Sequence, residues 1–191
     1  MNSINEQIKK MMIESSDIIR NSSELSEKIV DAINEIISCL KRGNKVVIFG
    51  NGGSAADAQH IAAELIGRFQ KERKSLPAVS LTTDSSIITS LANDYSFDVV
   101  FSRQCESLVS EGDVVIGIST SGKSKNVEEG IKTAKKKGAI TIGLLGEDGG
   151  TIKNLVDTSI QVRSTNTARI QEVHRVIYHI ICDFVENELA K

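Results

Sequence analysis

His60 and Glu64, in the stretch "GNGGSAADAQHIAAEL" (50–65), put an imidazole and a carboxylate four residues apart on one face of a helical segment. Metal ligands and general acid–base pairs both need that arrangement. The turn ahead of them, Gly50-Asn51-Gly52-Gly53-Ser54, is of the type that brings backbone N–H groups to a phosphate at a helix N-terminus. A second loop, "STSGKS" (119–124), supplies the hydroxyls of Ser119, Thr120, Ser121 and Ser124, with Lys123 able to add charge. Helix capping needs one hydroxyl and leaves the others unexplained, so a phosphate cradle is the better reading. Near the C-terminus, "RIQEVHRVIYHII" carries Gln171 and His179. They are eight residues apart, about 80° around a helix, and can lean toward one site. His174 competes with them but sits beside the apolar stripe and reads as structural. Taken together, these residues suit a phosphorylated substrate handled by acid–base or metal chemistry.

The elements that must hold these loops follow from the hydrophobic pattern. Residues 1–42 read as two helices, with Leu25, Ile29, Ile33, Ile36 and Leu40 at spacings of three and four, closed by Gly43 and Asn44. From Lys45 the chain alternates. Short apolar runs at 45–50, 76–81, 113–119, 139–146 and 158–162 read as strands. Helices are expected from the glycine turn to about Phe69, after a cap at Asp84 or Ser85, over 97–108, up to Gly138, and over roughly 166–190. Unalternating strands separated by helices imply a parallel sheet covered on both faces. The expected fold is a single α/β domain over 1–191, with helices at 1–42, a core at 43–165 and a C-terminal helix at 166–191.

Bulk composition narrows the function classes. With 191 residues, 40% hydrophobic and 25% charged, the chain suits one buried core. The net charge of −2 gives no footprint for nucleic acid or an anionic membrane. The basic runs "KERK" (71–74) and "KKK" (135–137) read as solvated. Cys39, Cys105 and Cys182 form no CxxC pair and read as buried thiols in a reducing compartment. No apolar run approaches membrane-spanning length. A cytoplasmic enzyme or binding protein is expected. The glycine turn matches G-x-G-x-x-A, but no acidic residue follows at the end of the second strand near Leu81, and there is no P-loop lysine. A nucleotide site is therefore disfavoured.

Four stretches, "GNGGSAADAQHIAAEL", "LANDYSFDVVFSRQ", "GDVVIGISTSGKSKNV" and "TARIQEVHRVIYHII", together resemble the sedoheptulose 7-phosphate isomerases (phosphoheptose isomerases) of the sugar isomerase domain superfamily. The likeness covers nearly the whole chain. It implies a flavodoxin-like five-stranded parallel sheet in a homotetramer with active sites at subunit interfaces. It also implies interconversion of sedoheptulose 7-phosphate and D-glycero-D-manno-heptose 7-phosphate, the start of heptose supply for lipopolysaccharide or other surface glycans. By position, Ser119, Thr120, Ser121 and Ser124 would hold the phosphate. Asn51, Gly52, Gly53, Ser54, Asn93 and Asp94 would line the sugar, with Glu64 and Gln171 also touching substrate. His60, Glu64, Gln171 and His179 would hold one Zn²⁺ per subunit, and Glu64 and His179 would be the acid–base pair. Two rivals are another phosphosugar isomerase and the superfamily member that binds the replication initiator. The presence of both Glu64 and His179 argues against the latter. Ala168 stands where some relatives carry an acidic residue.

Overall fold

The computed structural model describes residues 3–190; the expected boundaries at residues 1 and 191 lie outside them. Helix α1 (Ile4–Asn21) is capped by Ser3, whose Oγ accepts from Glu6 N. None of its residues is fully buried; Ile18 and Ile19 pack against the core, while Ile4, Ile8, Met11, Met12 and Ile13 stay exposed in this one chain. A short 3₁₀ turn (Ser22–Leu25) separates it from α2 (Ser26–Lys41), which buries Ile29, Ala32, Ile33, Ile36, Cys39 and Leu40. Gly43, at φ +82°, ends the helix as expected.

Five parallel strands then form in turn with the helices. They are β1 (Val46–Gly50), β2 (Ala78–Ser80), β3 (Val114–Ser119), β4 (Ile140–Gly146) and β5 (Thr158–Val162). The helices are α3 (Gly53–Ile66), α4 (Ser85–Asp94), α5 (Val100–Leu108), α6 (Lys125–Lys136) and α7 (Thr167–Leu189). The sheet order is β2-β1-β3-β4-β5. The strand order reverses at β1, which pairs with β2 on one side and β3 on the other. In open parallel sheets a ligand crevice forms outside the strand C-termini at such a switch point. The loops after β1 and β3 both open there.

Side chains alternate across the sheet with a period of two. Val46, Ile48, Val114, Ile116 and Ile118 face α2, α3 and α7. Val47, Phe49 and Val115 face α5 and α6, where Phe49 stacks on Phe101 with centroids 4.8 Å apart. Burying each of these aliphatic or aromatic side chains is worth about 1.5–3 kcal/mol, which is why the central strands read as unbroken apolar runs. Cys39, Cys105 and Cys182 are free and buried. Burial pushes the Cys105 and Cys182 thiols up to about 12.

Three expectations need adjustment. The second strand is only Ala78–Ser80, an edge strand preceded by Pro77, which has no N–H for the ladder. Helix α3 stops at Ile66, before Gly67, rather than near Phe69. The run 71–74 is not wholly solvated. The Arg73 side chain is buried against Glu186 at 3.1 Å and donates to the carbonyls of Leu65 and Glu64. Among the described residues no helix is long and apolar enough to cross a membrane.

Candidate active site

The turn after β1 carries glycine at two positions that differ in kind. Gly52 precedes α3 with φ +56°, a conformation that L side chains avoid. Gly53 has ordinary dihedrals, and what crowds it is one flexible side chain. A Cβ there would run into the side-chain amide of Gln171, whose Cδ would lie 2.9 Å away. The glycine turn and α7 are therefore in contact, although their residues are more than a hundred positions apart.

The turn after β3 contains the hydroxyl cluster. Ser119 is buried, and its Oγ lies 3.0 Å from Ser124 Oγ. Ser124 occupies the cap position of α6 but makes no side-chain bond to the helix backbone. Its hydroxyl is spent on Ser119, so simple capping does not explain it. The Ser121 Oγ accepts from Lys123 N at 3.2 Å. Thr120 is half-buried beside it. Lys123 is exposed and lies 3.7 Å from both Glu147 and Asp148, so its charge is shared with two carboxylates. The residues at the cap positions of α3 and α6 make no side-chain bond to their helices; Ser54 N–H is taken by Asn51 O and Val127 N–H by Asn126 Oδ1, and the positive helix ends themselves favour an anion.

The two turns are tied together by a residue that the sequence reading passed over. Asn51 and the buried Asn126 exchange amide hydrogen bonds at 2.8 and 2.9 Å. Asn126 lies two residues after the "STSGKS" loop, so its place was the available signal.

His60 and Glu64 lie on α3 as the spacing requires, with His60 Nε2 2.8 Å from Glu64 Oε1. The His179 ring, on α7, crosses that of His60 with centroids 5.1 Å apart. The Phe69 ring lies tilted against His179 with centroids 5.6 Å apart. Burial, with His60 beside it, holds His179 below the usual imidazole value, against the opposing pull of Glu64. His179 is thus neutral, and able to accept a proton, near pH 7. Its competitor His174 is fully buried and 3.0 Å from the Leu145 carbonyl through Nε2. Burial lowers its pKa, in keeping with the structural reading.

Of the remaining candidates, Ser54 is buried, its backbone N–H donating to Asn51 O. Asn93 and Asp94 are exposed at the end of α4 and bond to each other at 2.9 Å, not to the other candidates. Ala168 donates its N–H to Asn166, which caps α7.

Three further residues support the imidazole. The Tyr178 hydroxyl is 2.9 Å from His60 Nδ1 and 3.3 Å from Asp57 Oδ1. Arg175 reaches both the hydroxyl and Asp57 at 3.1 Å. Asp57 is one helical turn before His60 and Tyr178 adjoins His179, so the i, i+3 rule could have flagged the first.

His60, Glu64, Gln171 and His179 offer two imidazole nitrogens, a carboxylate and an amide oxygen, which are donor types that suit zinc. The far nitrogen of His60 is anchored by a hydroxyl, as in a ligating histidine. Among the described residues, no three His, Cys, Asp or Glu side chains converge as a ready-made metal cage. The His60–Glu64 hydrogen bond would have to open around an ion.

Comparison with known proteins identifies the family of the chain. The family model described as "SIS domain" matches residues 13–146. The phosphoheptose isomerase of Geobacter metallireducens is 55% identical over 168 residues, covering 88% of this chain and 89% of that protein. That of Aquifex aeolicus is 52% identical over 187 residues, 97% and 98% of the two chains. The solved phosphoheptose isomerase from Neisseria gonorrhoeae superposes with TM-score 0.92 at 41% identity, over 97% of this chain and 100% of that one. The one from Francisella tularensis gives 0.93 at 34% identity, over 98% and 100%. On this evidence the chain belongs to the phosphoheptose isomerases, enzymes of the SIS-domain family.

Proposed function

We propose that the crevice between α3, α6 and α7 interconverts sedoheptulose 7-phosphate and D-glycero-D-manno-heptose 7-phosphate by proton transfer through an enediol(ate). The observation that carries the reading is the meeting of His60 and Glu64 on α3 with His179 on α7, where the glycine turn that opens α3 also touches Gln171. The hydroxyls of Ser119, Thr120, Ser121 and Ser124 and the N–H groups of α6 would hold the 7-phosphate. The sugar would then extend over Asn51, Gly52, Gly53 and Ser54 toward Gln171 and Glu64. Asn93 and Asp94 would complete the sugar site from the crevice edge or from a neighbouring subunit.

In the ketose-to-aldose direction, one of Glu64 and His179 removes a proton from C1, and the other protonates the C2 oxygen. Return of a proton to C2 and loss of the O1 proton then give the aldehyde. His60, Glu64, Gln171 and His179 would hold one Zn²⁺ per subunit, supplying Lewis-acid stabilisation of the enediolate oxygen when bound. A carboxylate and an imidazole held within one crevice avoid the entropy of bringing acid and base together in solution.

We also read the enzyme as a homotetramer. The support is an open groove of about 960 Å³ lined by Val30, Ile33, Ile37, Ile180 and Phe184, continuous in type with the bare Ile4, Ile8, Met11, Met12 and Ile13 of α1. An exposed apolar area of this kind marks an interface.

The test is an NMR time course of purified protein with sedoheptulose 7-phosphate, with Zn²⁺ and with chelator. Formation of the aldose that stops on chelation supports both the reaction and the metal. Turnover indifferent to chelation removes the zinc, and no turnover under any metal condition removes this substrate.

A further inference from the structure

The Tyr178 hydroxyl has one proton and two acceptors within reach. Arg175 Nε is always a donor, so its bond to the hydroxyl at 3.1 Å uses an oxygen lone pair. The hydroxyl proton can then go to His60 Nδ1 at 2.9 Å or to Asp57 Oδ1 at 3.3 Å. Asp57 and Tyr178 are almost wholly buried, so water does not take the place of either partner. On the other side of the imidazole, His60 Nε2 faces a Glu64 oxygen at 2.8 Å. That contact needs a proton between the two atoms, and Nε2–H supplies it. A neutral ring with Nε2–H has a bare lone pair at Nδ1, and the Tyr178 hydroxyl is its available donor.

We infer that Tyr178, steered by Asp57 and Arg175, is a positioning residue that lets His60 change tautomer. While His60 Nε2–H bonds Glu64, Tyr178 donates to Nδ1. When Nε2 must offer its lone pair to zinc, the proton moves to Nδ1, the ring donates to the tyrosine oxygen, and the hydroxyl turns to the Asp57 carboxylate. No proton is gained or lost by the tyrosine in this exchange. Asp57 is an acceptor already held in place by Arg175 NH2 at 3.1 Å. Outer partners of a ligating histidine typically change metal affinity 10–100-fold. The second half of the inference rests on the zinc reading given above.

The chain has three histidines, so ¹⁵N-histidine labelling gives a spectrum in which each tautomer can be assigned. His174, bonded through Nε2 to a carbonyl, serves as the internal reference. Metal-free wild-type protein should show His60 as the Nε2–H tautomer, and addition of Zn²⁺ should convert it to Nδ1–H. Tyr178→Phe should keep the metal-free Nε2–H form and bind zinc roughly 10–100-fold more weakly in competition with a chromophoric chelator. Equal zinc affinity in wild type and Tyr178→Phe would overturn the inference. So would Nδ1–H at His60 in metal-free wild-type protein, a result that needs no variant and decides the matter if Tyr178→Phe fails to fold. Failure of the wild type to bind zinc at all would instead overturn the metal reading, together with the second half of this one.

Discussion

Replacement of Gly53 by alanine should separate catalysis from stability. Gly53 lies in the first turn of α3 with ordinary dihedrals, so alanine meets no backbone strain there. Helix propensity favours alanine, by up to about 1 kcal/mol. The added methyl has one obstacle, the Gln171 side-chain amide, whose Cδ would lie 2.9 Å away and Oε1 3.0 Å. A carbon–carbon contact wants about 3.5–4.0 Å, so the amide must retreat by about 1 Å. That side chain is flexible and the retreat is cheap, leaving stability within about 1 kcal/mol of wild type. Misplacing a positioning group by 1 Å can cost about 10²-fold in rate, so kcat/KM for sedoheptulose 7-phosphate should fall about that far. Gly130→Ala is the contrasting variant. Its Cβ would come 2.7 Å from the buried Phe49 ring, an overpacking worth about 1–3 kcal/mol of stability with activity per folded molecule retained. The assays are a thermal melt and the NMR turnover rate on the same preparations. Wild-type turnover in Gly53→Ala, or a melting temperature that collapses with it, would refute the contact argument.

Glu186 should prove a stability residue that also shapes the site. It accepts from the N–H groups of Phe69, Gln70 and Lys71 and pairs with the buried Arg73. Glu186→Gln leaves that arginine uncompensated and should cost about 3–5 kcal/mol, read as a drop in the urea midpoint, with an unchanged midpoint as the contrary result. Asp113 should stabilise the fold at neutral pH and not in acid. Burial alone would raise its carboxyl, but Lys45 and the N–H groups of Ser110 and Lys45 outweigh that and hold it below the ordinary 3.8. A depressed carboxylate contributes in full above that ordinary value and loses its contribution as pH falls through the lower folded one. The stability gap between wild type and Asp113→Asn should therefore be widest near pH 7 and shrink below pH 3.8; a gap constant with pH would contradict this. Val30→Asp with Phe184→Asp places charge in the apolar groove and should shift the sedimentation coefficient toward that of a single chain. An unchanged sedimentation coefficient would exclude that face as a subunit interface.

The sheet was legible because its central strands are buried on both faces and so are uninterrupted apolar runs, as "VVIFG" shows at 46–50. The edge strand was over-read because Leu76 extends the apolar run but donates its N–H to Leu65 O, and Pro77 has no N–H to offer the ladder. Some turn geometry was legible for a similar local reason: Gly52 takes its positive φ, and Ser119 meets Ser124, through neighbours in sequence. Contacts across the fold were not. Arg73 looked like one of four solvated charges because its partner, Glu186, lies 113 residues later. Asp57 and Tyr178 carry no motif and acquire their role only when α3 packs on α7. Gln171 and His179 were singled out by their spacing on one helix, but their roles beside His60 and Glu64 came from family likeness, since spacing alone leaves open which residues across the fold they meet.

The central proposal is that Glu64 is one member of the acid–base pair that carries the protons between C1, C2 and their oxygens. Its most direct test is the turnover of sedoheptulose 7-phosphate by Glu64→Gln beside wild type, followed by NMR with the fold of each checked by circular dichroism. The substitution keeps the size of the side chain and removes its basicity. The account predicts a folded protein whose aldose formation falls by about 10²–10⁴-fold, the range expected for a general acid–base group. Folded Glu64→Gln that turns over at the wild-type rate would contradict it.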